Sequence, residues 1–213
     1  MNQKELKNEL QNIISGKSSF SHDAVIQTVA YHLRTSKKTG PMASEKHKNK
    51  NKEKDQLLKF ADKHNLIIKN IDDSKYLSEG AEQKVFIKDK DYVIKLNDTI
   101  YYASWEDYFK NLLLHNYFFS DTAYYLLGFY PKKNDLFAVV KQNYIKADKI
   151  TDLNYVKLFL ANNGFANTKN NDYFNPKLGV ILEDLHDENV LTKSNILYFI
   201  DTVFYIEPNI FWK

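Results

Sequence analysis

The apolar residues of this 213-residue chain change their period near residue 64, and that change bounds what the chain can fold into. Before it, apolar side chains recur every three or four residues, the spacing of one face of a helix. Leu6, Leu10, Ile13 and Ile14 predict a short amphipathic helix ended by Gly16. Ala24, Val25, Val29 and Leu33 predict a second, opening at a Ser21 cap and running to Ser36. The two are expected to pack as a helical hairpin over residues 1–36. From Lys37 to Lys54 the apolar residues disappear, lysines accumulate, and Gly40 and Pro41 interrupt, so a Lys-rich linker is expected over 37–54. Leu57, Leu58, Phe60 and Ala61 then predict a third helix over 53–64.

Beyond that point the pattern turns to short β-branched or aromatic runs, KVFIK, DYVIKL, YYLLGFY and DLFAVVKQ, bounded by Gly, Asp, Asn or Pro. Runs of this length and composition read as strands of one antiparallel sheet. A single helix, SWEDYFKNLLLHNYFF, interrupts them, with Ser104 as its cap. Residues 152–163 predict another helix, ended by Gly164, after which short strands alternate with a polar loop at 184–189. The fold class expected is therefore α+β: a sheet-plus-helix part over 55–140, a shorter part over 141–213, and the helical extension before them.

Composition excludes several kinds of chemistry. With 43% hydrophobic residues the chain can bury a sizeable core. The absence of cysteine removes disulfides, thiolate metal sites and thiol nucleophiles. Arg34 is the only arginine, so guanine readout and arginine-finger chemistry lack their planar fork, and any phosphate must be met by lysine or backbone N–H groups. A net charge of +3 is small for a nucleic-acid binder, and no aromatics interleave the lysines of the 37–54 segment, so a solvated charge run and no nucleic-acid partner are expected. The six histidines show no HxxxH or HExxH spacing, which argues against zinc. The start lacks the apolar run of a signal peptide and no stretch approaches a membrane span, so a cytoplasmic protein without a membrane partner is expected.

The chemistry concentrates in ILEDLHDENVLTKSNILYFIDTVFY, residues 181–205. Val190–Leu191 and Ile196–Ile200 read as a hairpin that brings Asn189 and Asp201 to the same end of a small sheet. Magnesium takes hard oxygen donors, commonly one or two carboxylates, and completes its shell with phosphate and water. Asp184 stands five residues before Asn189, the spacing of the acceptor-orienting Asp and the metal-binding Asn in a kinase catalytic loop. DLHDEN resembles the D-L-H-x-x-N loop of aminoglycoside and choline phosphotransferases, and YFIDTVF resembles the strand bearing their second metal aspartate. The resemblance implies that Asp184 takes the proton of an attacking hydroxyl, that Asn189 and Asp201 hold Mg2+, and that His186 shapes the loop.

Upstream, DYVIKL resembles the kinase strand V-A-I-K, which makes Lys95 the partner of the ATP α- and β-phosphates. By the same resemblance SEGAEQKVF is the phosphate-covering turn, with Gly80 permitting close backbone approach and Val85 packing on adenine; it carries one glycine where kinases have three. The resemblance also implies that Glu106, with Asp107 as its rival, is the helix carboxylate that pairs with Lys95, and that the backbone from Val140 to Gln142 is the adenine-contacting hinge. GAEQKVF, VIKLNDTIYYASWEDYFKNLLLHN, LFAVVKQ and LEDLHDENVL together resemble the kinase-like domain found in polyvalent proteins of bacterial mobile elements and phages, over about residues 75–206.

What the resemblance implies is a truncated bilobal protein-kinase-like fold that binds ATP and Mg2+ and transfers phosphate to a hydroxyl on a protein or small molecule. Only TVFYIEPNIFWK follows Asp201 and the residue directly before Asp184 is Glu183, not Arg, so regulation by a phosphorylated activation loop is not expected. Two other readings use the same fold. One is a nucleotide-binding pseudokinase serving as a regulatory module in a mobile element; the other is nucleotidyl transfer.

Overall fold

The computed structural model describes residues 2–17, 24–36, 46–80 and 83–213, and the chain is mixed helix and antiparallel sheet. Three helices come first: α1 (Gln3–Ile14), α2 (Ala24–Ser36) and α3 (Lys46–Lys63). Strands β1 (Tyr76–Glu79), β2 (Gln83–Ile87) and β3 (Tyr92–Asn97) lead to α4 (Trp105–Phe118), then β4 (Tyr125–Lys132) and β5 (Asp135–Asn143). After α5 (Leu153–Asn162) come β6 (Ala166–Lys169), β7 (Asp172–Asn175), β8 (Val180–Glu183), β9 (Val190–Lys193), β10 (Ile196–Phe199), β11 (Val203–Ile206) and the one-turn α6 (Pro208–Phe211). Among the described residues, no helix is long and apolar enough to cross a membrane.

The chain divides into two compact units. The first comprises Ser19–Leu113 and Tyr124–Tyr144, and its frame is a five-stranded antiparallel sheet in the order β1-β2-β3-β5-β4. All four strand runs read from the sequence lie in it. Side chains alternate across a strand, so paired residues share a face. One face carries Phe86, Leu96 and Val139, buried with Ile68, Ile71, Ile94 and Phe137 around them. Val85, Lys95 and Val140, which pair in register, point to the opposite face, where Phe129 meets Trp105 and Phe109 of α4. Helix α2 packs on α3 and β4 in this unit.

Helix α3 begins at Lys46, inside the stretch expected to be linker; residues 37–45 and the Ser21 cap lie outside the described residues. The reason lies in two of its polar side chains. Lys50 donates its ammonium to the carbonyls of Thr99 and of Tyr102, the latter at 3.1 Å, while Glu53, buried, accepts the N–H of Trp105 at 2.7 Å. A carboxylate at that point satisfies an orphan N–H of α4 and favours the positive end of its dipole. The Lys50 ammonium is pulled below its ordinary pKa by burial, against the opposing pull of Asp98 and Glu53. The segment looked solvated because it lacks apolar residues, yet its buried contacts are polar.

The second unit comprises Met1–Ser18, Leu114–Ala123 and Ile145–Lys213. It holds a four-stranded antiparallel sheet, β11-β8-β7-β6, and the hairpin β9-β10. Leu10 and Ile14 of α1 share its core with Leu114, Val156, Leu160, Tyr173, Val180, Phe204 and Phe211. The N-terminal helices therefore do not make a unit of their own: α1 buries its stripe in the C-terminal core and α2 in the sheet unit. A capping box opens α1, with Asn2 Oδ1 accepting from Glu5 N–H at 3.0 Å and Glu5 Oε2 from Asn2 N–H at 2.8 Å. The boundary expected at 140/141 also moves, because β5 continues its ladder with β3 to the pair Tyr92↔Asn143.

Gly128 makes the sheet unit possible at one point. Its φ is +151°, and a Cβ there would stand 2.2 Å from the Leu66 carbonyl oxygen. That carbonyl accepts from Phe129 N–H at 2.8 Å, and Ile68 N–H returns a bond to Phe129 O at 2.8 Å, so the chain leaving α3 docks on β4 only if residue 128 has no side chain. Gly128→Ala should lower unfolding stability by about 3 kcal/mol in a denaturant titration. Gly80→Ala, where nothing lies within 4 Å of the added methyl, should change it by less than about 0.5 kcal/mol.

Candidate functional site

The site in the second unit is assembled by local chemistry. Ser194 and Asn195 have φ of 52° and 61°, a two-residue turn with both central residues left-handed, and this sets the β9–β10 register from Lys193↔Ile196 to Val190↔Phe199. Just past the last pair, the Asn189 carbonyl accepts from Ile200 N–H at 2.9 Å and from Asp201 N–H at 3.3 Å. Asn189 and Asp201 thus meet at one end of the hairpin, as the sequence predicts.

Asp184 is brought to the same place by the Asn189 side chain. The Asn189 amide nitrogen donates to Asp184 O and to Asp184 Oδ2, both at 2.8 Å. His186 Nε2 lies 3.4 Å from Asp184 Oδ1 and 3.0 Å from the same amide nitrogen, and the His186 carbonyl accepts from Asn189 N–H and Val190 N–H, so His186 shapes the loop. Asp184 itself is left-handed, at φ 66°, and its N–H donates to Asp172 Oδ1 at 3.2 Å. Asp tolerates that conformation better than most residues.

Carboxylates crowd this point. Partial burial, with Asp201 and Asp172 adding to it, raises the Asp184 carboxyl above its ordinary pKa, while His186 and the Asn189 bond pull it down. Glu183 is raised as well, by burial and then by Asp172 and Asp184. Among the described residues no three His, Asp or Glu side chains are arranged to hold a metal by themselves. The donors present suit a hard cation whose remaining positions are filled by phosphate and water: the Asp201 carboxylate, and the Asn189 amide oxygen, whose nitrogen is already engaged. A cation there would also relieve the mutual repulsion of Asp184 and Asp201.

In the sheet unit, Lys95 is only 3% exposed and its ammonium lies 5.4 Å from the centroid of the Tyr124 ring. Val85 and Val140 flank it on neighbouring strands; Gln142, 1% exposed and paired with Val93, points to the same face. Glu106, in the first turn of α4, is buried, with Oε1 2.9 Å from Lys110 Nζ. Its rival Asp107 is taken up by the helix cap: Ser104 Oγ accepts Asp107 N–H at 3.0 Å and donates to Asp107 Oδ2 at 2.8 Å. Gly80 is exposed and its N–H closes the β1–β2 turn on Gln83 O at 3.0 Å; Ala81 and Glu82 lie outside the described residues.

The profile of a family described as "Serine/Threonine/Tyrosine Kinase found in polyvalent proteins" matches residues 50–208. The chain belongs to this kinase family. The match opens at Lys50, whose ammonium bonds to the carbonyls of Thr99 and Tyr102. No curated protein and no solved structure matches the chain. Within this kinase domain three polar residues carry no signal of their own in the sequence: Glu53 under α4, and Thr122 and Thr202, which both bond to His115; that histidine, expected to pack or hydrogen-bond on its own helix, instead bonds beyond it. The only sequence signal for His115 is a polar residue inside the apolar run LLLHN.

The raised carboxyl of Asp184 has a stability consequence. A folded pKa above the unfolded one contributes stability at pH below the ordinary Asp range, and that contribution is lost as pH rises through the raised pKa. At neutral pH the ionised group is therefore a net cost to folding. Asp184→Asn keeps an acceptor for the Asn189 amide and suits φ 66°, so it should melt at or above the wild-type temperature at pH 7, with the difference vanishing near pH 3, in paired thermal scans.

Proposed function

We propose that this kinase-family domain transfers the γ-phosphoryl group of ATP to a hydroxyl, and that its two units are the two lobes of a truncated kinase-like fold. The observation that carries this reading is the double role of Asn189: its amide holds Asp184 and its carbonyl holds the backbone of Asp201. A proton acceptor and a metal carboxylate are thereby set on one loop–hairpin junction, the arrangement that in-line phosphoryl transfer requires.

In this mechanism Asp184 orients the acceptor hydroxyl and takes its proton on a carboxylate oxygen as the new O–P bond forms. The bond from the γ-phosphorus to the bridging oxygen breaks, and ADP leaves with that electron pair. A raised pKa makes Asp184 a better proton acceptor than an ordinary aspartate. Magnesium, held by Asn189 and Asp201, would neutralise phosphate charge. In the sheet unit, Lys95 would pair with the α- and β-phosphates of ATP, Glu106 would steady that lysine, and Val85 and Gln142 would contact the base; the Val140 and Lys141 backbone, expected as the hinge, pairs with strands on both sides. Gly80 lets the turn before β2 approach the phosphates. The acceptor is a protein or a small molecule bearing a hydroxyl.

A second reading, a pseudokinase that binds nucleotide and regulates without transfer, is favoured by one observation: the turn before β2 has a single glycine. Mass spectrometry after incubation with Mg-ATP separates the two. An active domain adds phosphate to itself or to an acceptor, and Asp184→Asn and Asp201→Asn should each lower the rate by about 10²–10⁴-fold while the protein stays folded. Full turnover in both variants, or nucleotide binding with no transfer in the wild type, rules out the phosphotransfer reading.

A further inference from the structure

His115 is wholly buried and sits in the last turn of α4, the part of that helix that belongs to the second unit. Its Nε2 lies 3.0 Å from the Thr122 carbonyl oxygen and 3.2 Å from Thr122 Oγ1. A carbonyl only accepts, so Nε2 carries the ring proton. In the neutral ring Nδ1 is then an acceptor, and the group facing it at 2.7 Å is the Thr202 hydroxyl, which donates. Thr202 is 1% exposed and follows Asp201 directly.

The same short turn is gripped a second time. Thr122 donates its hydroxyl to the Phe199 carbonyl, and the Phe119 ring stacks on the Phe199 ring with centroids 4.1 Å apart and planes 7° from parallel. Asp201 lies between these two grips, with its own N–H on the Asn189 carbonyl. The backbone carrying its carboxylate is thus held before, at and after the residue.

We infer that His115 and Thr202 form a latch that positions the Asp201 carboxylate, so that a side chain far from any ligand sets the affinity for the metal-nucleotide complex. The inference rests on the proposed role of Asp201 as a metal donor. His115 is a positioning residue and touches no substrate. Partners one step removed from a metal commonly change its affinity 10- to 100-fold when lost, because they fix the direction in which the ligand points. A buried histidine that only fills the core would leave that affinity unchanged.

The test uses the full chain, Mn2+ as the metal, and a non-hydrolysable ATP analogue, with bound Mn2+ read by electron paramagnetic resonance. Thr202→Val keeps the side-chain shape and removes the hydroxyl; Thr202→Ser keeps the hydroxyl. We expect Thr202→Val to raise the Mn2+ Kd by about tenfold or more and Thr202→Ser to stay within about threefold of wild type, while the analogue binds alike in EDTA. Amide exchange at Ile200 and Asp201 should quicken in Thr202→Val. An Mn2+ Kd within about twofold of wild type in folded Thr202→Val overturns the latch and leaves the phosphotransfer reading standing. Should that variant fail to fold, exchange in the wild type decides: Asp201 protected as strongly as β8 supports the latch, and exchange at open-loop rates overturns it. A wild type that takes up no Mn2+ with the analogue overturns the phosphotransfer reading and the latch with it.

Discussion

Asn189 is bonded in two directions at once. Its carbonyl closes the open end of the β9–β10 hairpin on Ile200 and Asp201, and its amide reaches back to both oxygens offered by Asp184. The loop from 184 to 189 has no strand partner along most of its length, so its course depends on these bonds, on the two N–H groups collected by the His186 carbonyl, and on the N–H groups of Asp184 and Leu185, which donate to the Asp172 carboxylate and the Asn171 carbonyl. Removing the amide would leave a left-handed aspartate beside other carboxylates with less to hold it. The chemistry of the site and the shape of the loop are therefore one problem, and Asn189 serves both through its side chain and its backbone.

The electrostatics run against stability. Asp172, Glu183, Asp184 and Asp201 act on one another within a small region, and the carboxyls of Glu183 and Asp184 are raised by burial and by their acidic neighbours. A chain selected only to fold would not gather carboxylates in this way. Sites that must meet a cation and take a proton commonly carry such a cost, since the group that is useful when a ligand is present repels its surroundings when none is.

How much of this could be read from the sequence depends on the distance between partners along the chain. The hairpin, the meeting of Asn189 with Asp201, and the Ser104 cap all join residues close in sequence, and their patterns are visible there. Four of the five strands of the sheet were legible because each shows its β character alone, whereas β1, exposed along its whole length, shows none; Lys95 falls on the face shared with Val85 and Gln142 because alternation within a strand is strict. The split of α1 from α2 was not legible, because an amphipathic stripe says that a helix packs and not on what. Nor was the start of α3, since Lys50 and Glu53 are held by polar contacts made about fifty residues away. His115 and Thr202 are separated by 87 positions, and nothing near either residue names the other.

The bond from Trp105 N–H to Glu53 bears on where this domain can be cut. A recombinant fragment trimmed to the first β-run would keep every strand and the whole 184–189 loop, and would still strip the leading end of α4 of its carboxylate cap. Its Trp105, Tyr108 and Phe109 side would then adjoin a water-exposed helix end. The minimal expressible unit is thus set by a side chain in a stretch of lysines that hydropathy alone would discard.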